Sequence, residues 1–149
     1  MRTIILFFLI GLSLSYDRKA AVEYARKHWN NYNDEEYINY ADNGGDCANF
    51  VSQCMIAGGF NFYGCSVTYR DAKGSLPRVR DIYSCLIQKG WHKSKTLLPS
   101  FKAGYPVFLE DKSHVMIASS VSEGIVKISG HTNDRWDYIV PAELVYFYP

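Results

Sequence analysis

Apolar positions repeat at three and four residues in the first half of the chain and in short alternating runs in the second. Ala21, Val22, Ala25 and Trp29, with charges on the opposite face, predict a helix over Asp17–Trp29. Asp42-Asn43-Gly44-Gly45 reads as a turn, and Asp46 as the N-cap of a second helix. Cys47, Phe50, Val51, Cys54 and Met55 form that helix's apolar stripe, and Gly58-Gly59 ends it. Residues 60–74 are aromatic and polar without a period and predict a loop. Ser75 is placed to cap a third helix, with Pro77 in its first turn, Val79, Ile82, Leu86 and Ile87 on one face, and Gly90 as its stop. From Pro106 the pattern changes to strand-like runs over 106–110, 114–119, 124–129, 136–140 and 144–148. The order predicts an α+β domain, with N-terminal helices packed on a C-terminal antiparallel β-sheet of about five strands.

Residues 1–15 stand apart from this pattern. Arg2 precedes an apolar run over Ile4–Leu12, and Ser13-Leu14-Ser15 supplies small residues for cleavage, which predicts a signal peptide and a domain over 16–149. A spanning helix takes about 20 apolar residues, more than this run offers. The expected location is outside the cell or the lumen of the secretory or endolysosomal pathway, where disulfides persist. Lys and Arg total 16 against 15 Asp and Glu, and removing the leader takes away only Arg2. A balanced chain with no basic run gives no reason to expect nucleic acid or, after cleavage, a membrane surface as a partner; a monomer is expected. The four cysteines, Cys47, Cys54, Cys65 and Cys85, allow two bridges, or one bridge plus free thiols. No His-Glu-x-x-His or paired Cys-x-x-Cys spacing occurs, so neither a metal nor another cofactor is implied.

One segment carries a chemical signal. Gly44-Gly45-Asp46-Cys47-Ala48-Asn49-Phe50 sets a cysteine in the first turn of a helix, where the dipole and unpaired N–H groups favour a thiolate. The same N–H groups can receive an oxyanion. His114 opens a late strand and His131 follows the next one. An early cysteine on a helix facing a late histidine on a sheet is the papain-type arrangement.

Tyr16-Asp17-Arg18, Ala20-Ala21-Val22, Tyr24-Ala25 and Trp29 resemble the opening of an amidase domain family of the papain-like clan, related to NlpC-type and CHAP cell-wall hydrolases. Gly44 through Gln53 and Gly58-Gly59 are similar to that family's nucleophile helix. Lys102-Ala103-Gly104, Pro106-Val107-Phe108, His114-Val115-x-Ile117 and His131-Thr132-Asn133-Asp134-Arg135 follow in the family's order. The resemblance implies a papain-like fold and a cysteine amidase or peptidase acting on peptide or peptidoglycan-derived substrates. Cys47 would be the nucleophile, His114 the general base and acid, and His131 the group orienting His114, with Asn133 or Asp134 as alternatives for that last role. Tyr37 is a candidate oxyanion donor, and Asp46 fits a helix cap better than a substrate contact. Asp134 and Arg135 read as a local salt bridge, and Tyr63, Tyr69 and Trp91 as possible cleft residues. With Cys47 reserved for chemistry and Cys54 a buried thiol, Cys65 and Cys85 would form the disulfide. Two other functions share these residues: an inactive secreted binding module of the same fold, and a thioester-forming acyl or amide transferase.

Overall fold

A computed structural model describes residues 15–149; all but the last residue of the expected leader lies outside the described residues. Three helices precede a six-stranded sheet. Helix α1 spans Arg18–His28, and Asp17 Oδ1 accepts from the N–H groups of Lys19 and Ala20, both at 3.1 Å. Helix α2 spans Cys47–Ala57 and is buried nearly all round, because it runs between α1 and the sheet. Helix α3 spans Val79–Gln88, so it starts later than Ser75 predicts. Arg78 occupies the N-cap position, while Ser75 is buried and donates its hydroxyl to Asn49 Oδ1 at 2.8 Å. Pro77 biases the residue before it away from helical backbone, which fits a helix beginning beyond it.

The strands are β1 (His92–Ser94), β2 (Pro106–Leu109), β3 (Val115–Ser122), β4 (Ile125–Gly130), β5 (Arg135–Tyr138) and β6 (Leu144–Tyr148). Their order across the sheet is β1-β6-β2-β3-β4-β5, and every pairing is antiparallel. The helices and sheet match the predicted α+β order. Strand β1 adds a sixth member that three polar residues after Trp91 did not signal. It exists because His92, Lys93 and Ser94 find Tyr148, Phe147 and Tyr146 as partners, a long-range pairing that no local pattern encodes.

Alternation divides the sheet into two faces. Phe108, Val115, Ile117, Val145 and Phe147 point at the helices and join Ala25, Phe50, Val51 and Leu86 in the larger core. Val107, Met116, Ala118, Val126 and Ile128 point the other way and pack with Phe101. Gly104 lets the loop before β2 reach α1: its φ is +92°, and a side chain there would collide with the Arg18 carbonyl. The Cys65–Cys85 disulfide ties the loop after α2 to α3. Gln88 reinforces that tie, accepting from Ser66 N–H and donating to Ser66 O.

Candidate functional site

Cys47 begins α2, as the Gly-Gly-Asp turn predicts, but its environment differs from the expected one. The residue is 8% exposed. Burial is the largest influence on its thiol and pushes the pKa above the ordinary cysteine value. Backbone N–H groups of Val115 and Ala48 pull in the opposite direction and are outweighed. The helix-start dipole favours the thiolate, but desolvation outweighs it at this position. Cys54 is fully buried and its pKa is pushed up further still. The disulfide takes two of the four cysteines, and the two that stay free are both buried. Neither free thiol has its pKa lowered by its surroundings.

Cys47 lies against the backbone of Val115, the residue after His114, and follows Asp46, the partner of His131. Burial lowers the His114 pKa, and among the described residues no hydrogen bond joins its ring to Cys47 or to His131. His131 is committed elsewhere. Its Nε2–H donates to the His28 carbonyl at 2.8 Å, and its Nδ1 is hydrogen-bonded to Asp46 Oδ2 at 2.6 Å. A carbonyl can only accept, so Nε2 carries a hydrogen, and both ring nitrogens are occupied. The ring is stacked against Tyr32 at 3.7 Å and against Phe50 at 3.9 Å between centroids. His131 is therefore a buried strut, not a group that orients His114.

Asp46 is the other end of that strut. It stands at the N-cap position of α2, where its carbonyl accepts from Phe50 N–H at 2.9 Å, but its side chain makes no capping bond. Its Oδ1 accepts from Tyr40 N–H at 3.0 Å and from Asn49 Nδ2 at 2.9 Å. Its own N–H donates to Thr132 Oγ1 at 3.1 Å. A Cβ at Gly45 (φ +97°) would come within 2.9 Å of that same Thr132 oxygen, so the glycine permits the close approach. Tyr37 shares a narrow crevice with Asp46, Gln53 and His131. Asp134 accepts from the Tyr32 hydroxyl at 2.8 Å in place of the expected salt bridge, while Arg135 lies over the Tyr138 ring. Trp91 is partly buried against the core among Tyr16, Phe60 and Tyr105; Tyr63 is exposed and lines a separate cleft with Phe60 and Lys73, and Tyr69 is exposed.

A groove crosses the sheet on the face away from the helices. Its volume is about 200 Å³, with Leu109, Met116, Ile128 and Val140 as floor and His114, Asn133 and Arg135 among the polar groups around it. His114 precedes Val115, which faces the helices, and shares the groove with Met116 on the other face. The site therefore consists of two parts: a buried Asp46–His131 strut fixing the 131–135 loop, and an open groove beside it. Of the residues singled out from sequence, His114, His131 and Asn133 border the groove. Arg135, Tyr138 and its apolar floor were missed as site residues, though the His131–Arg135 string was the signal for that loop.

Residues 15–97 match the family described as "Putative amidase domain". The α+β chain belongs to that family. A segment of 49 residues, 33% of the chain, is 51% identical to the uncharacterized protein YhbB of Bacillus subtilis strain 168. That segment covers 14% of YhbB, so the chain corresponds to a small part of that protein. No solved structure matches. Family membership holds, but the expectation of an active cysteine-dependent amidase or peptidase is overturned. Cys65 and Cys85 form the expected disulfide, but Cys47, though free, is buried with a raised pKa, and His131 is held by Asp46 and His28.

Proposed function

We propose that the chain is a secreted, monomeric binding module that keeps a papain-like amidase fold and holds peptides in the groove crossing β2 to β5. Stem peptides of the cell wall are the ligand class we assign to it, and the 1–15 leader would direct it to them. The observation that carries this reading is an open groove, apolar in its floor and polar at its rim, on the sheet face opposite the helices, while Cys47 is buried on the helix side with its pKa pushed up. Among the described residues no helix is long and apolar enough to cross a membrane.

The test is a 15N NMR titration of the full chain with the pentapeptide L-Ala-γ-D-Glu-L-Lys-D-Ala-D-Ala, followed by mass spectrometry of the peptide. Shifts at Asn133, Arg135 and the neighbours of His114, with the peptide recovered intact, are the expected result. Absence of shifts in the groove would overturn the binding assignment. Cleavage of the peptide, lost in Cys47→Ala, would overturn the inactive assignment.

A further inference from the structure

Building on the groove as the binding surface, we infer that Arg135 receives a free carboxylate at the C-terminus of the bound peptide, whose last side chain rests on the apolar floor. Arg135 is the one permanent cation among the residues lining the groove, and no Asp or Glu lines it. The acids adjacent in sequence are engaged elsewhere. Asp134 accepts from Tyr32, and Asp137 accepts from Ser119 and Ser120 and pairs with Lys127 at 3.4 Å. The guanidinium therefore has no carboxylate partner among the described residues.

Its position is defined from both ends. The Arg135 carbonyl accepts from Ser129 Oγ at 2.8 Å, which fixes the backbone beside β4. The guanidinium carbon lies 5.2 Å from the Tyr138 ring centroid, which holds the side chain along the groove. A planar guanidinium binds carboxylate through two parallel N–H donors, a geometry an amide cannot match. His114 adds no competing positive charge near neutral pH, since its burial favours the neutral ring. Asn133 offers both a donor and an acceptor at the rim, which suits a peptide unit better than a simple fatty acid. At about 200 Å³ the groove takes a terminal residue or two, not a long chain.

The experiment titrates the full chain with the same pentapeptide in two forms, free acid and C-terminal amide. The acid should bind about tenfold more tightly than the amide, the discrimination one charge-assisted pair supplies. Arg135→Gln should remove the preference, so that acid and amide bind equally, with 15N resonances outside the groove unchanged as the check that the variant is folded. Arg135→Lys should retain part of the preference. Equal binding of acid and amide, with groove shifts intact, would overturn the carboxylate assignment and leave the binding module standing. No groove shifts with either form would overturn the binding module itself.

Discussion

At the scale of single residues, burial decides what the ionisable groups do. For Cys47 the helix start favours the thiolate and desolvation favours the thiol, and desolvation wins. Iodoacetamide at pH 7 should therefore label Cys47 more slowly than an unfolded cysteine peptide, and Cys54 only after denaturation. Rapid labelling of Cys47 at pH 6 would contradict this. His114 gives a pH prediction with a definite sign. Its folded pKa is lowered, so the unfolded chain binds the proton more readily. Its stabilising contribution is complete above the unfolded value of about 6.5 and is lost as pH falls through the folded one. Urea unfolding should show a lower midpoint at pH 5.5 than at pH 7.5, and His114→Gln should flatten that difference. Sequence reasoning found both residues because their positions follow from capping, turn and strand patterns. It misjudged their states because solvent exclusion depends on what packs over them, which only the fold supplies.

At the scale of elements, the Asp46–His131 strut joins three segments that lie far apart in sequence. His131 bonds the end of α1 through the His28 carbonyl and the start of α2 through Asp46, and Thr132 meets the Asp46 backbone. Asp46→Ala would leave Tyr40 N–H, Asn49 Nδ2 and His131 Nδ1 without their partner. The expected loss is about 3–5 kcal/mol, typical of breaking a buried pair by removing one partner, measurable as a fall in the urea midpoint. A loss within the range of a surface substitution would show that water replaces the carboxylate. The spacing of Asp46 and His131 was visible in the sequence, but their partnership was not, since residues 85 apart carry no periodic relation. The missing β1 has the same cause. Periodicity located the elements whose faces are set by burial, and missed a polar edge strand set by pairing alone.

At the scale of the whole molecule, one covalent tie closes the segment between α2 and α3. Reducing Cys65–Cys85, 20 residues apart, should destabilise the fold by about 3 kcal/mol in the chain-entropy picture, a drop of roughly 10 °C in Tm. Calorimetry with and without reductant checks this; an unchanged Tm would mean that the Gln88 and Asp81 hydrogen bonds to the loop already hold it. The global arrangement of helices before strands was legible from the change of hydrophobic period at Pro106. The groove was not, because its floor is drawn from β2, β3, β4 and the segment after β5, each contributing one apolar side chain that locally reads as ordinary core.

The order of strands also fixes a schedule for synthesis. Strand β6 lies between β1 and β2, bonded to both, although it is the last of the six in the chain. While the polypeptide is still emerging from the ribosome, β1 has no neighbour at all and β2 has one side open. Until residues 144–148 leave the exit tunnel, the nascent chain presents unpaired edges to whatever lies nearby.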